Sequence, residues 1–300
     1  MTRLLLGTAV AAASAFLLTA CGGDGSERSD LAFVSTRDGD YAVYEMSASG
    51  AGEHRITEAQ SESTETNVLF LAVEPAWSPD GTEIAFSSRR STSFDIEVMN
   101  ADGTGTKSLT STKENDTHPT WSADGRRIAF RREGDIYVMN ADGSDARRIS
   151  DISAEESDPA WSPDGEWIAY IRRAPGTLAH EVWIMRPDGS ARRALTKQNG
   201  RAFTPAWSPD GSRIVFSSNA KGEVYELYSV GVDGKGLRSV VPTAGDNFEP
   251  SWSPDGSKIA YQEGGAIFTV ELGGGGVEKL TDNKNNDSSP AWNPKPPEGS

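Results

Sequence analysis

Six tryptophans, Trp77, Trp121, Trp161, Trp207, Trp252 and Trp292, follow one another at intervals of 44, 40, 46, 45 and 40 residues. Each stands in nearly the same phrase: EPAWSPDG, HPTWSADG, DPAWSPDG, TPAWSPDG, EPSWSPDG and SPAWNP. Most are followed by an apolar run (IAF, IAY or IVF), then a second run such as DIYVMNADG, then a tail ending in LT or IS. A period of 40–46 residues is the signature of a repeat architecture. It constrains the fold more tightly than any other property of the chain.

One repeat shows what the period builds. In Ser162-Pro163-Asp164-Gly165 the proline presets φ near −65° at the second turn position and glycine eases the exit, as a type I turn prefers. This turn joins Pro159-Ala160-Trp161 to Trp167-Ile168-Ala169-Tyr170. Val182-Trp183-Ile184-Met185 forms a third strand, and Arg186-Pro187-Asp188-Gly189 turns into a fourth around Arg192 to Leu195. The runs alternate with period two, so that Ile136 and Val138 share one side of their strand. Four short strands cannot bury both faces of their own sheet, whereas sheets stacked radially cover one another. Ala85, Ala129, Ala169 and Ala260, each between larger apolar residues, would let neighbouring sheets approach closely. The recurring tryptophan is read as the filler of the wedge between sheets, because an aromatic repeated in every unit buries a large area.

The count of units closes on itself. Leu31-Ala32-Phe33-Val34 matches the second strand, Val43-Tyr44-Glu45-Met46 the third, and His54-Arg55-Ile56-Thr57 the last, but no tryptophan strand precedes them. That strand stands at the other end, as Pro290-Ala291-Trp292-Asn293-Pro294. The expected fold is therefore all-β: a six-bladed β-propeller whose last blade is closed by N- and C-terminal strands. Closure leaves no open edge between first and last blades.

The phrase PAWSPDG-x-x-IAF followed by IYVMNADG resembles the TolB-type propeller repeat, a WD-repeat-like module of bacterial envelope proteins. The resemblance covers residues 31–294 and implies a propeller. The N-terminal α/β domain of TolB has no counterpart in this sequence, so the resemblance does not carry over the Tol-Pal role.

The N-terminus reads as a secretory leader over 1–20, with Arg3 as its charged region and an apolar run, Leu4 to Leu17, too short to favour a membrane-spanning helix. It ends in Leu18-Thr19-Ala20-Cys21, which resembles a bacterial lipoprotein cleavage signal and implies that Cys21 is lipidated. Cys21 is the only cysteine, which leaves no intrachain disulfide. Residues 21–30 form a polar tether, of which the nine residues Gly22 to Asp30 span at most roughly 30 Å, and 295–300 form a C-terminal tail. The net charge of −15, or −16 once Arg3 leaves with the leader, argues against nucleic acid, whose binding needs Lys and Arg on phosphates. An anionic membrane surface would repel it too.

In a propeller, the loops before each inner strand gather on one face and the SPDG and NADG turns on the other. Repeated turns are structural and variable loops carry function more often. The residues three before each tryptophan, Glu74, His118, Asp158, Thr204, Glu249 and Ser289, are expected to ring one mouth of the central channel, with Asp116, Glu156, Asn247 and Asp287 two residues further out. Arg37, Arg89, Arg90, Arg131, Arg132, Arg172 and Arg173 end the second strands of four neighbouring blades, where the other two blades offer Asn219 and Gln262. Such an arc could hold an anionic or sugar-like ligand, or pair with local acids. The candidate binding residues are Glu74, His118, Asp158, Glu249, Arg89, Arg131 and Arg172. The connection Glu58 to Glu74, with its apolar Val68-Leu69-Phe70-Leu71, is open to three roles: docking a partner, plugging the mouth, or packing on the first blade. The connection from Arg173 to His180 lies on the same face.

No G-x-S-x-G elbow, H-E-x-x-H or P-loop is present. The histidines, His54, His118 and His180, are far apart in sequence, and the D-G turns lack an EF-hand's spaced acids. No catalytic residue, metal or cofactor is assigned, although His118 with Glu74 and Asp158 could converge. The expected function is that of a non-enzymatic, monomeric envelope lipoprotein, anchored on the extracytoplasmic side of a bacterial membrane, periplasmic or at the cell surface. One propeller face would bind an envelope protein, peptide or glycan. The alternative is a polysaccharide-active lyase or hydrolase, for which a converging His, carboxylate and Arg set at the mouth would speak.

Overall fold

The computed structural model describes residues 30–58, 71–90, 92–150, 153–197, 200–241, 245–272, 275–282 and 284–295. Among these residues the chain forms 24 strands in six four-stranded antiparallel sheets, and no helix. The inner strands, in order around the ring, are Ser288–Trp292 (blade 1), Leu71–Trp77, Asp116–Trp121, Glu155–Trp161, Ala202–Trp207 and Asn247–Trp252 (blade 6). Each touches the inner strand of the next blade, and the blade 6 strand touches Ser288–Trp292, so the ring is complete. The second strands are Leu31–Ser35, Glu83–Arg89, Arg127–Arg132, Ile168–Arg173, Arg213–Ser218 and Lys258–Glu263. The outermost strand of every blade is two residues long, so little sheet edge is left open.

Blade 1 is assembled from both ends of the propeller, as its tryptophan count requires. Leu31 pairs with Trp292 and Ala32 with Ala291, and Asn293 N–H donates to the Asp30 carbonyl at 2.8 Å.

The core lies between blades. Each small residue of a second strand faces the next blade's large ones: Ala85 packs with Trp121 and Phe130, Ala129 with Trp161 and Tyr170, Ala169 with Phe216, and Ala260 with Phe33. Val215 takes this position in blade 5 and packs with Trp252 and Tyr261. Burying each such aromatic stabilises the fold by about 1.5–3 kcal/mol.

The tryptophans also carry a polar link between blades. Trp77, Trp121, Trp207 and Trp252 donate their indole N–H to the carbonyls of Ala291, Ala76, Ala160 and Ala206 in the preceding blade, at 2.9–3.3 Å. Trp161 and Trp292 do not. They follow the two blades that carry Thr120 or Ser251 in place of that alanine, and there the hydroxyl accepts the tryptophan's backbone N–H instead.

The turns behave as their sequences require. In all five SPDG-type turns the glycine N–H donates to the serine carbonyl, as from Gly165 to Ser162 at 2.9 Å. In the second set of turns glycine is needed twice over. Gly103 has φ 81°, and a Cβ there would stand 2.1 Å from the Ile56 carbonyl of the preceding blade. Gly143 approaches the Leu109 carbonyl in the same way.

The connection expected from Glu58 to Glu74 is partly strand. The inner strand of blade 2 already begins at Leu71, which bridges Tyr41 of blade 1. Cys21, the leader, Val68-Leu69-Phe70 and 296–300 lie outside the described residues.

Candidate functional site

Each inner strand is interrupted by a register shift at an X-Pro pair, for example between Val73 and Ala76 or Ser157 and Ala160. The residues before the prolines are Glu74, His118, Asp158, Thr204, Glu249 and Ser289. All six have left-handed backbone, with φ between 47° and 58°. For a residue with a Cβ this costs about 1–2 kcal/mol each, and it persists only where surroundings over-determine it. The six prolines and their predecessors line a channel of about 260 Å³. The sequence placed these residues at one mouth, and the structure brings them together there.

Cross-blade hydrogen bonds hold this ring. Glu74 accepts the backbone N–H of His118 at 2.8 Å, Asp158 that of Thr204 at 3.0 Å, and Glu249 that of Ser289 at 2.6 Å. Each carboxylate thus fixes the left-handed residue of the next blade. Ser87 donates to the same Glu74 oxygen at 2.6 Å.

His118 is the centre of charge. Its Nε2 lies 3.1 Å from Glu74 and 3.4 Å from Asp158. Burial lowers its pKa, but Glu74 and Asp158, with help from Glu249 and against Arg131, raise it above 6.5 overall. Burial also raises the Glu249 carboxyl; the Ser289 amide opposes this and the Glu74 charge adds to it. Among the described residues no cluster of His, Cys, Asp and Glu forms a metal site.

The arginines divide by strand parity. Arg37, Arg90, Arg132 and Arg172 lie on one set of alternating positions and are engaged inside their blades. Arg132 forks onto the fully buried Asp116 at 2.6 and 2.8 Å, and stacks over Tyr137. Arg172 pairs with buried Glu156 at 3.5 Å and stacks over Trp183. Arg90 grips Glu97, and Arg37 reaches buried Asp287. Asp116, Glu156 and Asp287 are thus interior partners of these arginines and not mouth residues. Arg172 is corrected on the same ground: its side chain serves Glu156. Arg89 sits over the Phe94 ring with its Nε buried and unbonded. Arg131 and Arg173, of the other parity, reach the mouth.

A cavity of about 440 Å³ opens beside the channel and shares His118, Asp158, Thr204 and Glu249 with it. Arg131, Arg173 and Glu155 form one side, and Arg173 is paired with Glu155. His180, Phe203 and Phe248 form the other. The His180 and Phe203 rings meet edge to face at 5.4 Å, and Tyr225 bridges Phe203 to Phe248 at 5.6 and 5.0 Å. Burial and the neighbouring Arg201 and Arg173 lower the His180 pKa. The sequence reading missed Phe203 and Phe248. The signal was the column before the X-Pro pair, which holds Val73, Thr117, Ser157 and Ser288 elsewhere and an aromatic only in blades 5 and 6.

Fold and site together define a closed six-bladed β-propeller with an ionisable channel mouth. The family model of the TolB beta propeller domain matches residues 62–199 and 158–298. The chain belongs to that family. TolB from Acinetobacter baumannii is similar in fold, with TM-score 0.73 and 21% identity over 90% of this chain and 68% of that one. So is a putative TolB from Agrobacterium tumefaciens, with TM-score 0.66 and 22% identity over 86% of this chain and 90% of that one. Dipeptidyl-peptidase 5 of Porphyromonas gingivalis is 32% identical over 98 residues, 28% of this chain. The match spans 14% of that curated relative's length. No helix among the described residues is long and apolar enough to cross a membrane.

Proposed function

We propose that the chain is a non-enzymatic, monomeric envelope lipoprotein that binds a protein, peptide or glycan partner through the mouth face of its propeller. The observation that carries this reading is the cavity beside the mouth, where His118, Asp158, Glu249 and Arg131 meet. Uniform turns occupy the opposite face, and the residues that differ from blade to blade gather here, where function is more often carried. Membership in the TolB propeller family supports an extracytoplasmic location. The Leu18 to Cys21 motif supports a lipid anchor at Cys21, and Cys21→Ser should leave the protein unacylated; normal processing and retention with membrane lipid would remove the anchor from the reading. Crosslinked capture from envelope tests the face. Arg131→Glu should weaken capture roughly tenfold or more, as loss of charged hydrogen bonds would, while Asp102→Lys and Asp188→Lys on the turn face leave it intact. The reverse pattern places the interaction elsewhere.

The second reading, a lyase or hydrolase acting on an acidic polysaccharide, is favoured by one observation: His118 stands within 3.4 Å of two carboxylates. Turnover of such a glycan that is lost in His118→Ala would establish it.

A further inference from the structure

The cavity beside the mouth carries charges and polar atoms that the fold itself leaves unsatisfied. Arg131 forms no ion pair among the described residues, and its Nε is buried without a hydrogen-bond partner. The Nδ1 atoms of His118 and His180 and the Thr204 hydroxyl are buried and unbonded as well. Buried polar groups are nearly always satisfied, and these four atoms at one cavity are open to an occupant. The neighbouring Arg173, paired with Glu155, shows that the blade supplies partners where it needs them.

The chemistry of the occupant follows from three walls. A planar guanidinium is matched by a carboxylate, which it can hold with two parallel hydrogen bonds. A simple anion is disfavoured, because the acids Asp158 and Glu249 line the cavity beside His118. The occupant must therefore offer a cationic group to these acids as well as a carboxylate to Arg131. Phe203 and Phe248 supply an aromatic wall for an apolar group. A volume of about 440 Å³ falls within the range of small-ligand sites, roughly 300–1,000 Å³, and admits no folded partner.

We propose that this cavity binds a small zwitterion, an α-amino acid or dipeptide with a large apolar side chain, its carboxylate on Arg131 and its ammonium toward Asp158 and Glu249. The proposal rests on the reading of the mouth face as the binding face, and it names the ligand class there.

Calorimetric titration of the purified chain with phenylalanyl-alanine tests it. Saturable binding is expected, weakened at least about tenfold by C-terminal amidation of the dipeptide, by its N-acetylation, and by Arg131→Gln, each of which removes a charge-assisted contact. Arg131→Gln should melt with the parent, because the arginine holds no ion pair. Binding lost on amidation but indifferent to N-acetylation would overturn the zwitterion in favour of a chain's C-terminus. Tighter binding of glucuronate than of the dipeptide would overturn it in favour of an acidic sugar. No saturable heat at millimolar dipeptide, with Arg131-dependent partner capture intact, would overturn the ligand class and spare the face. If both fail, the face itself is wrong.

Discussion

Trp77 donates its indole N–H to the carbonyl of Ala291 at 3.0 Å, across 214 residues of chain. This contact lies on the seam where the two ends of the propeller meet, and it repeats a link that joins other blades. Trp292, at the opposite side of the same blade, keeps its indole N–H buried and unbonded. Trp→Phe removes similar volume at both positions but a hydrogen bond only at Trp77. Trp77→Phe should therefore be the less stable variant by about 1 kcal/mol, the net worth of such a bond. Urea unfolding of the pair reads the difference, and equal stabilities would deny the link any role.

Removing the closing strand should be severe. Deletion of 285–300 takes Trp292 and every partner of Leu31–Ser35 on its inner side. Loss of a fully buried large aromatic costs about 3–5 kcal/mol, and partly buried Trp292 contributes a share of that against a total stability of about 5–15 kcal/mol. Deletion of 296–300 should leave the melting temperature near that of the parent. Two truncations with the same melting temperature would refute closure by this strand.

Adjacent arginines should respond in opposite ways. Arg172→Glu leaves buried Glu156 facing a like charge, with Arg192 at 3.3 Å as a remaining partner. A loss of about 3 kcal/mol is expected, as for a broken buried pair. Arg131→Glu, which breaks no pair, should cost less than about 1 kcal/mol. Chemical denaturation of both variants decides this, and a stable Arg172→Glu protein would contradict the parity argument.

His118 predicts a signed pH dependence. Its folded pKa lies above 6.5, because Glu74 and Asp158 outweigh the burial that lowers it. The folded state therefore holds the proton more tightly than the unfolded chain. The stabilisation is fully present below pH 6.5 and is lost as pH rises through the folded value. Glu249, raised chiefly by burial, acts with the same sign from its ordinary 4.5 upward. Unfolding free energy should thus fall more steeply above pH 6.5 in the parent than in His118→Gln. Parallel slopes would show that the carboxylates do not hold the imidazolium.

Much of the ring was legible along the chain. Turn chemistry such as Ser162-Pro163-Asp164-Gly165 and the period-two runs depend on residues within one hairpin, so they can be read locally. The displaced tryptophan strand at Pro290 to Asn293 gave blade count and closure together, since a sheet edge left open needs a partner. The mouth positions followed from their fixed offset to tryptophan. Strand parity would also have separated Arg131 from Arg132, because neighbours in a strand face opposite sides.

The functional detail lies between blades, and there the sequence alone is silent. Which carbonyl an indole reaches, as Trp77 reaches Ala291, depends on how closely two sheets approach. The left-handed backbone at His118 is stabilised by a bond from its amide to an acid, Glu74, 44 residues away. Phe203 and Phe248 converge with Arg131 only because the ring closes around one cavity. The sequence determined six blades, their closure and the mouth positions, through turns, alternation and period. The tertiary structure decided which of those groups pair with one another, since that depends on distances across blade interfaces and not along any strand.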